Sequence, residues 1–372
     1  MDCLSLTKKL ISFRTINPPG HEHNCARYIG RLLEDGGFQT RYCEFDKGRT
    51  SLIAHIKGGG DKDPLCFSGH MDTVPIGSAQ WMSNPLKGEV DGDKLYGRGS
   101  TDMKSGLAAM VVASLRLSKM PRGKAGITLV ITAGEETGCR GAHHLVEQAD
   151  PLEKAGMIIV GEPTSNYPLL GHKGALWLEA ETTGVAAHGS MPERGDNAIV
   201  KAARAVTKLQ NYAFANPSHP LLGKPTLNIG TISGGLNINS VPDQAHIGID
   251  IRTIPGQMNK DVYEDLGSFL GEEVQISRLI DVGSVITNDQ HEWVQKIFDI
   301  MTPFLHARPV PRGATYFTDA SVLAPALGNP PTIILGPGEP EMAHKPNEFC
   351  YTSKIEQAAD AYLEIAQKWC EL

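Results

Sequence analysis

Two histidines and five carboxylates stand in short polar stretches of this chain where a metal ion could be reached. His70 and Asp72 follow the apolar run Leu65-Cys66-Phe67, and Asp102 opens a helix in Gly97-Arg98-Gly99-Ser100-Thr101-Asp102-Met103-Lys104. Glu135 and Glu136 follow Leu129-Val130-Ile131, Glu162 follows Ile158-Ile159-Val160, and His344 lies in Met342-Ala343-His344-Lys345-Pro346. Imidazole nitrogen and carboxylate oxygen are zinc donors, and a pair of such ions can activate water for hydrolysis.

Each residue alone has a plainer reading. His70-Met71-Asp72 could be a polar turn, although an acid two positions along could also hold the second imidazole nitrogen. Asp102 could merely cap the helix after it, and His344 could be a surface loop histidine. Glu135-Glu136 is the more telling pair: at a strand end, one carboxylate can ligate while its neighbour reaches the activated water. What favours chemistry is that all these groups fall in order at strand ends or helix starts of one domain. Competing motifs are missing, since no His-Glu-x-x-His, Walker loop or Gly-x-Ser-x-Gly elbow occurs.

The elements that must position these groups can be read from periodicity. Helices are expected at 4–13, 22–35 and 103–119, and strands at 38–45, 51–57, 65–68, 127–132 and 157–160. Buried β-branched strands alternating with helices predict an α/β domain with a mixed sheet flanked by helices, whose ligands collect at the carboxyl ends of the strands. Past Gly171 the pattern changes to alternating strands at 175–183, 227–232 and 245–253, with helices at 197–213 and 260–270. This is an α+β insert. A helix at 290–301, a strand at 332–335 and a helix at 353–370 then resume the first pattern. The expected domains are residues 1–171 with 284–372, and an inserted 172–283.

The chain has 372 residues, enough for two cores, and 35 basic against 42 acidic residues give a net charge of −7. That balance argues against a nucleic-acid or anionic-membrane partner and suits a small substrate. The seven cysteines are scattered and odd in number, which predicts reduced thiols. The N-terminus, Met1 to Lys9, reads as an amphipathic helix start without the layout of a signal peptide. No apolar run reaches the ~20 residues needed to span a bilayer, so a cytoplasmic location is expected.

The motifs around His70, Asp102, Glu135-Glu136-Thr137 and Gly161-Glu162-Pro163-Thr164 resemble, over nearly the whole chain, the di-zinc metallopeptidase family of acetylornithine deacetylase, succinyl-diaminopimelate desuccinylase, aminoacylase and carboxypeptidase G2. The resemblance implies two Zn2+ ions, replaceable by Co2+ or Mn2+. His70 and Glu162 would hold one, Glu136 and His344 the other, and Asp102 would bridge them. It also implies Glu135 as general base, Asp72 as partner of His70, and a cis peptide after Asp102.

The insert resembles the family's ferredoxin-like lid and dimerisation domain. That likeness implies a homodimer in which His188 reaches the neighbouring active site, with substrate contacts at Arg252, Asn239, Gly313 and Thr315. Taken alone, His188 could be an ordinary loop histidine and Arg252 a surface ion-pair residue. The implied activity is hydrolysis of a small N-acyl-L-amino acid by a metal-activated water. His172-Lys173-Gly174 and Asp250-Ile251-Arg252 resemble the deacetylase and place N-acetyl-L-ornithine ahead of N-succinyl-LL-diaminopimelate, while Asp319 stands where deacetylases tend to carry Glu. The rivals are a dipeptidase, carboxypeptidase or general aminoacylase of the same family, a single-metal hydrolase, and a non-catalytic binding protein.

Overall fold

The apolar, β-branched runs of the sequence become the sheet from which the candidate residues emerge. The computed structural model describes residues 2–150, 152–216 and 218–372; Met1, at the head of the expected N-terminal helix start, lies outside them. The chain folds as two compact units, one of Met1–Gly171, Ile286–Arg312 and Thr318–Leu372, the other of His172–Val285 with Gly313–Phe317.

In the first unit six strands lie in the order Gln39–Asp46, Arg49–Ile56, Ala125–Thr132, Lys62–His70, Met157–Val160 and Thr332–Ile334. The first two pairings are antiparallel and the other three parallel, so the sheet is mixed. His70 stands opposite Thr132, and Ser68 opposite Val160. These strands therefore end at one level, and the turns that follow them open on the same edge.

The helix Lys104–Leu117 buries every residue except Leu115 and Arg116. An all-round apolar helix must be covered on all sides, and Cys3–Ser12 and Thr352–Cys370 pack against it. Its small residues allow close approach: a Cβ added at Gly106 would lie 2.1 Å from the carbonyl oxygen of Gly161. Asp102 does not cap this helix. Met103 occupies the N-cap position, and the Asp102–Met103 peptide is cis.

In the second unit four antiparallel strands lie in the order Thr226–Gly234, Gln244–Thr253, Gly174–Thr183 and Val274–Val282. With the helices Ala198–Leu209 and Asn259–Leu270 they make the βαββαβ ferredoxin-like arrangement. Alternate residues of the central strands, Leu176, Leu178 and Ala180 with Ile247, Ile249 and Ile251, form a core with Ala202, Ala205 and Leu266 of the helices. Val274–Val282 was not expected from the sequence. Its alternation is interrupted by a register shift between Arg278 and Ile280, which masks the period-two pattern.

Candidate active site

Seven of the expected residues converge at the carboxyl edge of the mixed sheet. His70 closes its strand, Glu162 follows Val160 by two positions, and Glu135 and Glu136 occupy a single 3-10 turn. That turn differs from the strand end expected for the pair. Gly134 at φ 79° and Gly138 at φ 94° bracket it, a left-handed backbone that glycine adopts freely.

Asp102 lies between two groups of donors. Its Oδ1 is 3.2 Å from His70 Nε2, and Glu162 Oε1 is 3.5 Å from the same nitrogen. Its Oδ2 is 3.4 Å from His344 Nε2, which lies 3.2 Å from Glu136 Oε2. The donor atoms of His70, Asp102 and Glu162 lie within 4.8 Å of one another, as do those of Asp102, Glu136 and His344. One carboxylate thus serves two three-residue sets.

The electrostatics follow from packing so much negative charge out of water. Burial first, then the charges of Glu162, Asp319 and Glu136, hold Glu135 well above its ordinary value, with His70 opposing. Burial likewise raises Glu162 well above its usual range, with His70 opposing and Asp102 and Glu136 adding to it. Burial would depress His70, but the Glu162 charge and hydrogen bonds to Asp102 and Asp72 lift it well above an ordinary imidazole. His344 is raised to about 10 by its hydrogen bonds to Asp102 and Glu136. Divalent cations would supply the missing countercharge. The donors fit that role: two imidazole nitrogens and carboxylate oxygens suit zinc, and Glu136 Oε1 is buried without a hydrogen-bond partner among the described residues.

Asp72 touches His70 and also braces the turn that carries Glu135 and Glu136. His70 Nδ1 lies 3.0 Å from the carbonyl oxygen of Asp72 and 3.5 Å from its carboxylate, so the backbone carbonyl is the nearer acceptor. The carboxylate also accepts from Asn17 Nδ2 at 2.8 Å and from the amides of Glu135 at 3.1 Å and Glu136 at 3.2 Å.

Three features were not anticipated. Asp319 and Cys139 form a third buried set with Glu135, and Thr132 donates its hydroxyl to Asp319. Burial, then the charge of Asp319, keeps the Cys139 thiol well above its ordinary value. Glu348 and Arg98, both buried, form an ion pair beneath Asp102. Asn17, from the N-terminal segment, braces Asp72.

The remaining expected residues lie in the second unit. His188, in the short strand Ala187–His188, stands opposite Ser240, and Gly189 N donates to the Asn239 carbonyl at 2.7 Å. His188 Nδ1 accepts the Ser190 amide at 3.2 Å; with that nitrogen engaged as an acceptor, the neutral ring carries its proton on Nε2. Arg252 pairs with Asp250 at 2.9 Å and stacks near Trp177 and Phe317. Gly313 and Thr315 flank Ala314, whose carbonyl accepts from Lys173 N at 3.2 Å.

Residues 66–368 match the family model described as Peptidase family M20/M25/M40. The chain belongs to this family. It is 30% identical to the probable succinyl-diaminopimelate desuccinylase of Staphylococcus epidermidis, over 100% of this chain and 98% of the relative. It is 29% identical to the acetylornithine deacetylase of Vibrio parahaemolyticus, over 99% and 98%. Its fold is similar to that of the M20 family metallo-carboxypeptidase Sso-CP2 from Sulfolobus solfataricus, with TM-score 0.81, 20% identity and full coverage of both chains. As an M20/M25/M40 member the chain is a metal-dependent amidohydrolase.

Proposed function

We propose that the chain hydrolyses the amide bond of a small N-acyl-L-amino acid, N-acetyl-L-ornithine first and N-succinyl-LL-diaminopimelate second. The observation that carries this reading is the position of Asp102, whose two oxygens face separate sets, His70 with Glu162 and Glu136 with His344. Those residues would hold two zinc ions, with Co2+ or Mn2+ able to replace them. When bound, the ions supply Lewis-acid polarisation of the scissile carbonyl and bring the pKa of water toward neutrality.

The protein's own groups supply the proton transfers and the orientation. Glu135, held by its buried surroundings above an ordinary carboxylate, takes a proton from the attacking water and returns it to the leaving amine. Asp72 fixes the turn that carries Glu135 and Glu136. The second unit would serve as lid and dimerisation domain. His188 of a partner subunit, with Nε2 as donor, would stabilise the oxyanion, and Arg252, Asn239, Gly313 and Thr315 would contact the amino-acid moiety. A fully active monomer in sedimentation at assay concentration would remove that part of the reading.

We place the enzyme in the cytoplasm, where its seven unpaired, buried cysteines would stay reduced. No helix among the described residues is long and apolar enough to cross a membrane. The test of substrate is kcat/KM for zinc-reconstituted enzyme on N-acetyl-L-ornithine, N-succinyl-LL-diaminopimelate, N-acetyl-L-methionine and a neutral dipeptide. A preference of about tenfold for either of the first two supports the reading. Preference for N-acetyl-L-methionine makes the chain a general aminoacylase, and preference for the dipeptide makes it a peptidase.

A further inference from the structure

Arg98 and Glu348 lie 250 positions apart in sequence and meet at 2.6 Å, both buried. Glu348 spends both oxygens on the segment that carries Asp102: Oε1 accepts the amides of Thr101 at 2.8 Å and Asp102 at 3.1 Å, and Oε2 accepts Gly99 N at 3.1 Å. Arg98 reaches the other way. Its Nη2 lies 3.4 Å from the His344 carbonyl and 3.1 Å from the Pro75 carbonyl, and its Nη1 lies 3.4 Å from the Lys345 carbonyl. A guanidinium can span a carboxylate and several carbonyls at once because its donors form a planar fork.

The two candidate cation positions differ in what holds their ligands. His70 ends one strand and Glu162 follows its paired neighbour, whereas His344 sits on a loop with φ 64° and its side chain half exposed. Strand pairing sets two of the three ligands of the first position, which shares Asp102 with the second. The second depends on Asp102 and His344 being kept in register across two loops, and the ion pair touches the backbone of both.

We propose that Arg98 and Glu348 form a buried clasp that positions Asp102 and His344 for the second cation, a role that rests on the two-ion reading above. They are positioning residues, since neither lies among the donor sets. Glu348→Gln keeps the volume but replaces one acceptor oxygen by a donor facing N–H groups, and Arg98→Lys removes the fork.

The test is titration of the cation-free full chain with Co2+, followed by visible absorption and by metal content per chain. Wild type is expected to take up two ions. Both variants are expected to bind the second ion about 10–100-fold more weakly, as when a group supporting a ligand is lost, and the first, which shares only Asp102 with it, by a smaller factor. Two ions in wild type with an unchanged second affinity in the variants overturn the clasp alone, and so does equal weakening of both ions. A wild-type chain that takes up a single ion overturns the two-ion reading and the clasp with it. Should the variants not fold, amide exchange in cation-free wild type decides: protected N–H groups at Gly99, Thr101 and Asp102 support the clasp, and exchange at open-loop rates overturns it.

Discussion

The carboxylate of Asp72 lies 3.1 Å from the amide nitrogen of Glu135 and accepts its hydrogen. A side chain before one turn thereby fixes the backbone of another, and Asp72 Oδ2 also takes the amide of Glu136. Asp72→Asn leaves the volume but turns one acceptor into a donor aimed at a peptide N–H. We expect kcat to fall about 10–100-fold, the cost typical of losing a supporting group in a metal site. Turnover within a factor of about two of wild type would show that the turn holds itself.

Glu135→Gln removes the proposed base while keeping its shape. Turnover on the best substrate of the panel is expected to fall about 10²–10⁴-fold, with metal content unchanged. A near-normal rate with both ions bound would move the proton transfer to another group.

Cation binding to the folded chain alone must raise its stability. With free zinc at 100 times its Kd, a single site adds about 2.7 kcal/mol, readable as a rise in melting temperature with zinc concentration. Asp102→Asn weakens a ligand common to both sets, so its melting temperature should respond far less to zinc. An equal response in the variant would remove Asp102 from the ligands.

Burial lowers the pKa of His172 to about 4 from an ordinary 6.5, only partly opposed by its bond to the Lys173 carbonyl. Between these values the unfolded chain binds more protons than the folded one, so stability rises with pH and is lost as pH falls from 6.5 toward 4. At most about 3 kcal/mol is involved. Urea unfolding of wild type and His172→Gln should therefore converge across this window as pH falls. Parallel curves would mean that the imidazole is not kept neutral by the fold.

Gly106→Ala is expected to be costly out of proportion to one methyl group, because its Cβ would meet the backbone oxygen of Gly161 at 2.1 Å. The helix or the Glu162 turn must shift, at about 1–3 kcal/mol or more. Cation affinity should fall together with stability. A variant that melts like wild type and binds both ions would show that the helix has room to move.

Much of this was legible in the sequence for a simple reason. His70, Glu135, Glu136 and Glu162 follow apolar runs that become paired strands, and strand ends place whatever follows them. Arg98 and Glu348 were not legible as a pair, because Glu348 in Pro346-Asn347-Glu348-Phe349 reads as loop polarity and nothing local announces burial. Asp72 was read through its spacing from His70; that its carboxylate also takes amides more than sixty positions away was not legible. Asp319 was noticed only as a departure from a familiar pattern; its neighbours Glu135 and Cys139 come from a distant turn and helix start.

The split of donors around Asp102 also orders the site in time. His70, Asp102 and Glu162 all precede the second unit, while His344 and Glu348 follow it. Chains are made from the N-terminus, and their early parts begin to fold first. A nascent chain halted in the second unit would thus carry every residue for one cation and lack a ligand for the other. Under the two-ion reading, the chain completes the ligands of the second ion only once it has passed the second unit and reached His344.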